Sequence, residues 1–182
     1  MIIDKRIGRM NSHYELANKY IQENNCKRVL DVGGAAHPWC EYTSHVLDVI
    51  VIPSDVDVLK ERNIKLFHSD ACDYEQWESV HEEVERNGKF DFVICTHTLE
   101  DVVYPENICK KINEVGKAGF VSVPSKYDEY TRAENHFSVK NYRGYHHHVW
   151  IYDMIGGVFT GFPKQNTWEH MQYQPWDNLG NS

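Results

Sequence analysis

The chain lacks the features that mark membrane-spanning and secreted proteins. Its unbroken apolar runs, such as "VIVI" and "FVIC", stop far short of the roughly 20 residues that cross a bilayer. The N-terminal stretch "MIIDKRIGRMNSHYELANKY" is too polar for the apolar segment of a signal peptide. We therefore expect no membrane association and a cytoplasmic location, which is the host cytoplasm if the sequence is viral.

Paired cysteines and an excess of positive charge are also missing. The five cysteines are scattered and form no C-x-x-C pair, which argues against a disulfide framework and against a cysteine zinc site. The net charge is −8, whereas nucleic-acid binders usually carry a basic excess. A nucleic-acid partner is therefore not indicated, and a small-molecule substrate is the expected partner.

The 182 residues alternate between short apolar runs and helix-like segments. This order predicts an α/β fold with a parallel sheet covered on both faces, followed by an antiparallel hairpin at the two-glycine turn 156–157. The strands are predicted at 28–32, 45–50, 64–68, 90–96 and 119–124. The helices are predicted at 12–25, 55–62, 74–87 and 104–117.

We expect one domain over residues 1–182. Its predicted parts are an N-terminal helix (12–25), a cofactor-binding core (28–125), a substrate-side insertion (126–147), a terminal hairpin (148–164) and a tail (171–182).

The loop after the first strand, "VLDVGGAAHPW", is poor in glycine for a nucleotide-type loop. It contains only Gly33 and Gly34, so it does not match G-x-G-x-x-G, which weakens a nicotinamide or flavin interpretation. Acids nevertheless follow three successive strands, as Asp31, Asp48 and Asp70. Ligands of parallel sheets bind at these strand ends, where carboxylates accept hydrogen bonds from hydroxyl and amine donors.

Taken together, these motifs resemble the class I S-adenosylmethionine-dependent methyltransferases, in particular their small type-11-like group. "VLDVGGAAH" resembles the first motif of the family, with Ala35 and His37 in place of two glycines. "HVLDV" and "FHSDACD" resemble the next two motifs. "FDFVICTHTLEDV" resembles the fourth-strand motif, which often ends in L-E-H-V. The resemblance covers roughly residues 25–125, and the terminal hairpin is similar to the last two strands of the family.

The resemblance implies S-adenosyl-L-methionine as the cofactor and a doubly wound, Rossmann-like sheet. Asp31, Gly33, Gly34 and Ala35 would lie against its methionyl part, and Asp48 would hold the ribose hydroxyls. Asp70, Ala71 and Cys72 would border the adenine. Thr96 and His97 would lie beside the sulfonium and the substrate.

A second distinctive segment, "ENHFSVKNYRGYHHHVW", is rich in histidine. In a strand, His146 and His148 would share one face and His147 the other. An H-x-H pair needs a further ligand, which His136 or Glu134 could supply only by folding back, so no metal site is predicted. A catalytic base is the favoured role, with His97 as the first candidate and Tyr145, His146 and His148 as further candidates.

The predicted function is methyl transfer from S-adenosylmethionine to an oxygen or nitrogen of a small molecule, or of a polypeptide side chain. One alternative is a non-catalytic module that binds the cofactor. Another is a metal- or histidine-dependent hydrolase, or a cofactor-cleaving enzyme, on the same fold. The sequence assigns neither the methyl acceptor nor the oligomeric state.

Overall fold

A computed structural model describes residues 11–34, 40–131, 133–134 and 142–165. Ala35 and His37 of the first loop, His136 of the histidine-rich segment and the predicted tail 171–182 lie outside these residues. The chain divides into two compact units, each with most of its contacts inside itself. Unit 1 comprises Met1–Thr98 and Tyr104–Ser122, and unit 2 comprises Leu99–Val103 and Val123–Ser182.

Unit 1 is a five-stranded parallel sheet with helices. Its strands have the order β3-β2-β1-β4-β5. They are β1 (Val29–Val32), β2 (His45–Asp48), β3 (Lys65–His68), β4 (Phe92–Thr96) and β5 (Gly119–Ser122). The helices are α1 (Asn11–Glu23), α2 (Pro53–Glu61), α3 (Glu78–Asn87) and α4 (Pro105–Val115). The chain order reverses between β1 and β4, which is where ligands of such sheets bind.

Apolar packing covers the sheet because alternate residues of each strand point to opposite faces. On one face, Ala17 and Ile21 of α1 pack with Val29, Phe92 and Ile94 in a buried cluster. A second buried cluster joins Val46 on β2 to Leu59 of α2 and to Ile64. These side chains supply the contacts that hold the strand ends in a fixed relation to one another.

A charged network fastens α3 to the sheet. The carboxylate of Glu83, with a side chain 7% exposed, lies 2.6 Å from Nζ of Lys65 and 2.9 Å from a guanidinium nitrogen of Arg28. Asn87 donates a further hydrogen bond of 2.8 Å to the same carboxylate. The hydrogen bond from Lys65 outweighs burial and lowers the pKa of Glu83 to about 2. Glu83 is thus held as an anion.

Unit 2 contains the helix α5 (Lys126–Thr131), the short strands β6 (Ala133–Glu134) and β7 (Tyr142–Arg143), and a hairpin. The hairpin strands are β8 (Trp150–Ile155) and β9 (Val158–Pro163). Both residues of the connecting turn, Gly156 and Gly157, have positive φ angles of 57° and 87°. Two successive residues in this region favour glycine, which explains the turn predicted from sequence.

The predicted fold class is confirmed: the chain has a five-stranded parallel sheet with helices and a C-terminal antiparallel hairpin. Several predicted bounds differ slightly. The predicted helix 74–87 consists of a 3₁₀ turn at Glu75–Trp77 followed by α3, and β5 ends at Ser122 rather than at residue 124. The single-domain assignment stays a prediction.

Candidate functional site

The loop after β1 begins with two glycines that the structure requires for different reasons. Gly33 has a φ of 83°, and a Cβ at this position would lie 2.3 Å from Oγ1 of Thr98, beyond the end of β4. A Cβ on Gly34 would lie 2.4 to 2.6 Å from the carboxyl atoms of Asp31. Either side chain would therefore displace its neighbour. The two glycines let the loop backbone pass close to Thr98 and to the carboxyl group of Asp31, at the crossover between β1 and β4.

Asp31 is the most perturbed group at this crossover. Asp31 is only 1% exposed, and its Oδ2 has no hydrogen-bond partner among the described residues. Burial, with a smaller contribution from the charge of Asp48, raises the pKa of Asp31 to about 7, against a smaller opposing effect of Arg62. A buried carboxyl group of this kind gains most from a cation or a hydrogen-bond donor that reaches it.

The acids after β2 and β3 shape their own loops. Oδ1 of Asp48 accepts the backbone N–H of Ile50 at 2.9 Å, and Oδ1 of Asp70 accepts that of Cys72 at 2.8 Å. Each bond spans two residues, as in the turns that aspartate commonly forms. Asp48 and Asp70 are half-buried, so both carboxylates keep partial access to solvent.

The loop of Ala71 and Cys72 is anchored from two sides. Nε1 of Trp77 donates to the carbonyl of Ala71 at 3.0 Å, and the side-chain amide of Asn107 donates to the carbonyl of Cys72 at 2.9 Å. Trp77 is completely buried. These contacts give the segment predicted to border the adenine a defined backbone path.

The end of β4 has an unusual backbone. Thr96 is half-buried, and His97 after it is exposed with a φ of 50°. The backbone N–H of His97 donates to the carbonyl of Ser122 on β5 at 2.9 Å. Left-handed conformations are uncommon for residues other than glycine and are found often at functional sites. The strand end therefore presents an imidazole on a constrained backbone.

Unit 2 contains a cluster around His148, a predicted catalytic candidate, with partners that the sequence did not indicate. His148 is buried, and its Nδ1 lies 2.5 Å from Oε1 of the buried Glu129. Lys164 Nζ lies 3.1 Å from the other oxygen of Glu129. Burial raises the pKa of Glu129, but His148 and Lys164 outweigh it and lower the pKa overall.

Three more side chains belong to this cluster. Nε2 of His148 and Nε2 of His147 lie 3.6 Å and 3.8 Å from Oδ1 of Asp101. The ring of Tyr145 lies 4.5 Å from that of His148. Burial raises the pKa of Asp101, although both histidines oppose this effect.

One structural expectation for this segment is wrong. Residues 145–149 do not form a strand but a turn, in which the N–H of His148 donates to the carbonyl of Tyr145 at 3.1 Å. The alternation that would pair His146 with His148 therefore does not apply, and it is His147 and His148 that face a common carboxylate.

The predicted site residues thus fall into two groups. Asp31, Gly33, Gly34, Asp48, Asp70, Ala71, Cys72, Thr96 and His97 belong to unit 1, at the carboxyl ends of its strands. Tyr145, His146 and His148 belong to unit 2.

Four residues with contacts in these regions were not among the predicted site residues: Thr98, Asp101, Glu129 and Lys164. One signal for Asp101 was available in the sequence. It stands where the fourth-strand motif often has histidine, and both aspartate and histidine are residue types that can ligate a metal ion.

The described part of the chain contains no helix long and apolar enough to cross a membrane. No curated protein and no solved structure matches the chain. A family model described as a methyltransferase domain matches residues 7–159, which is most of the chain. The protein therefore belongs to the class I S-adenosylmethionine-dependent methyltransferase family and is a methyltransferase.

Proposed function

We propose that the protein binds S-adenosyl-L-methionine at the carboxyl ends of β1 to β4 and methylates an oxygen or nitrogen of a small molecule, or of a polypeptide side chain. The observation that carries this proposal is the buried carboxyl group of Asp31, whose Oδ2 has no hydrogen-bond partner among the described residues. The cofactor has an amino group that is cationic at neutral pH. An ammonium ion beside Asp31 would supply both the missing hydrogen bond and a compensating charge.

The residues around Asp31 fit this cofactor. Gly34 keeps the Asp31 carboxyl group clear of a Cβ, which would lie 2.4 to 2.6 Å from its atoms, and Gly33 does the same beside Thr98. Asp48, at the end of the neighbouring strand β2, would accept hydrogen bonds from the ribose hydroxyls. Asp70 would accept from the adenine amino group, in the loop anchored by Trp77 and Asn107.

When bound, the cofactor supplies an electrophilic methyl group, and the protein contributes mainly position. His97 is proposed as the residue that takes the proton from the acceptor. A neutral imidazole has a suitable basicity at neutral pH, and His97 is exposed at the end of β4. Its left-handed backbone, held through the carbonyl of Ser122, would limit the directions the ring can take.

The substrate is proposed to be a small molecule because the chain is acidic and has no clear basic surface segment for nucleic acid. A cytoplasmic location and the organisation of residues 1–182 as one domain are proposed on composition and length. Tyr145, His146 and His148 remain proposed contributors to proton transfer. Ala35 remains a proposed contact of the methionyl part.

Calorimetry with S-adenosylmethionine and S-adenosylhomocysteine tests the cofactor proposal. We expect dissociation constants of roughly micromolar size for the wild type and a loss of roughly tenfold or more in Asp48→Ala. Asp48→Asn keeps an acceptor for the N–H of Ile50, so it separates loss of charge from loss of the turn. Asp57→Ala, an exposed acid on α2, is the matched control. If neither ligand binds the wild type, the proposal is wrong.

The acceptor is tested separately by following S-adenosylhomocysteine formation with panels of phenolic, carboxylate and amine acceptors. Turnover with one class, at a rate above that without acceptor, supports the proposed transfer. Cofactor breakdown at the same rate without any acceptor would contradict it and favour a cofactor-cleaving enzyme.

A further inference from the structure

The atoms of the Asp101, His147 and His148 cluster have the spacing of metal ligands. One ligand atom from each side chain lies within 4.8 Å of the others. The two imidazole nitrogens lie 3.6 Å and 3.8 Å from Oδ1 of Asp101, beyond the roughly 3.2 Å limit of a good N–H···O hydrogen bond. In a tetrahedral zinc site, bonds of about 2.0 to 2.1 Å place the ligand atoms roughly 3.4 Å apart. The spacing is thus closer to coordination than to direct hydrogen bonding.

His148 is oriented as metal-bound histidines usually are. Its Nδ1 is engaged by Glu129 at 2.5 Å, which leaves Nε2 directed toward Asp101. Metal-ligating imidazoles commonly use their other ring nitrogen to donate to a carboxylate, which sets the tautomer and raises the basicity of the ligand atom. Glu129 is itself held by Lys164 at 3.1 Å, so this supporting carboxylate is buried and compensated.

Backbone contacts hold the three side chains together. The carbonyl of Glu100 accepts the N–H groups of Val149 at 2.7 Å and Trp150 at 3.2 Å. These bonds place the residues after His148 beside the segment that contains Asp101. The cluster therefore depends on contacts that form whether or not an ion is present, and such preorganisation favours binding.

The exposure of the cluster is uneven. The side chain of His148 is 5% exposed, whereas those of Asp101 and His147 are 40% and 52% exposed. One ligand is thus fixed in the interior and two face solvent. This arrangement leaves access for water or another donor to a fourth coordination position.

We propose that Asp101, His147 and His148 bind one divalent transition-metal ion of the zinc type, with a fourth position open to water or to an oxygen or nitrogen donor. Two imidazoles and one carboxylate suit such ions, whereas calcium and magnesium favour sets of oxygen ligands. The site lies within unit 2 and requires no part of the proposed cofactor site, so the two proposals are tested independently.

The test is zinc titration of the full chain by calorimetry, after treatment with a chelator and desalting. We expect one ion per chain with a dissociation constant of roughly micromolar or tighter. Asp101→Asn and His147→Ala should each weaken binding by roughly tenfold to hundredfold or more, since changes to supporting residues alone cost this much. Both replace side chains that are substantially exposed, so circular dichroism should show an intact fold.

His146→Ala is the matched control because it removes an adjacent, exposed histidine outside the cluster. It should leave the zinc affinity unchanged. Cobalt substitution supplies a second readout: the spectrum should show four-coordinate nitrogen and oxygen ligation without a thiolate-to-cobalt band, which excludes the five cysteines as the site.

The proposal is overturned if zinc does not bind saturably, or if Asp101→Asn and His147→Ala bind it as tightly as the wild type. A loss in His146→Ala equal to that in His147→Ala would also overturn the assigned ligand set. Magnesium that binds as tightly as zinc would contradict the assigned class of ion.

Discussion

At pH 8, replacing Asp31 with asparagine should stabilise the protein and weaken its cofactor site at the same time. Burial and the charge of Asp48 raise the pKa of Asp31 from 3.8 to about 7. A carboxyl group with a raised pKa destabilises the fold as pH rises, because the unfolded chain loses its proton first. The penalty begins near the unfolded pKa of 3.8 and is complete above the folded value of about 7.

The raised pKa of Asp31 predicts how much the ionised carboxyl group destabilises the fold at each pH. At about 1.4 kcal/mol per pKa unit, the penalty is about 1.5 kcal/mol at pH 5 and about 4 kcal/mol at pH 8. Asparagine removes the charge but still buries an amide, which costs about 1 to 3 kcal/mol if it finds no partner. This second cost does not depend on pH. The stability gain of the variant over wild type should therefore be about 2.5 kcal/mol larger at pH 8 than at pH 5.

Urea unfolding followed by circular dichroism at the two pH values measures this difference. Asp57→Asn, on the exposed side of α2, should show almost no change with pH and serves as the control. A difference below about 1 kcal/mol between the two pH values would refute the argument that Asp31 is a buried and destabilised carboxyl group.

Cofactor affinity should depend on pH in the opposite direction from the stability of the fold. An ammonium group gains most from an ionised Asp31, so the wild-type affinity for S-adenosylmethionine should rise about tenfold between pH 6 and pH 8. Asp31→Asn should bind at least about tenfold more weakly at pH 8 and lose most of this pH dependence. Equal affinities of wild type and variant at pH 8 would show that Asp31 does not contact the cofactor.

Two further predictions concern β4 and α3. His97→Ala should lower turnover by roughly a hundredfold while leaving S-adenosylmethionine affinity within about threefold, as general-base loss does; equal losses of both would make His97 a binding residue only. Glu83→Gln should cost about 2 kcal/mol at pH 7 in urea unfolding, after allowance for the half-exposed Lys65. Since the pKa of Glu83 is lowered from 4.5 to about 2, this cost should disappear as pH falls through that window, whereas the exposed Glu85→Gln should cost almost nothing at any pH.

The strands and helices of unit 1 were predictable because their signals are local. Short apolar runs bounded by polar residues correspond to β1 through β5, and the two-glycine turn corresponds to the hairpin. The bounds shifted by a few residues because hydrogen bonding, rather than composition, decides where an element ends. For example, the predicted helix 74–87 begins with a 3₁₀ turn that buries Trp77.

The histidine-rich segment was less predictable because its conformation is set by distant contacts. Residues 145–149 lack a strand partner of their own and turn back through the bond from His148 to Tyr145. Strand periodicity therefore paired His146 with His148, whereas the turn brings His147 beside His148. A periodicity argument holds only where the assumed element exists.

The order of acids at strand ends and the type of fold were determined by the sequence alone, because each depends on spacing along the chain. Only the tertiary structure decided that Asp31 is buried with Oδ2 unsatisfied among the described residues, and that Glu129 supports His148. It alone also decided that Asp101 lies beside His147 and His148, some 46 residues further along the chain. Burial and charge pairing arise from groups that meet only when the chain has folded, and no local pattern encodes which groups these are.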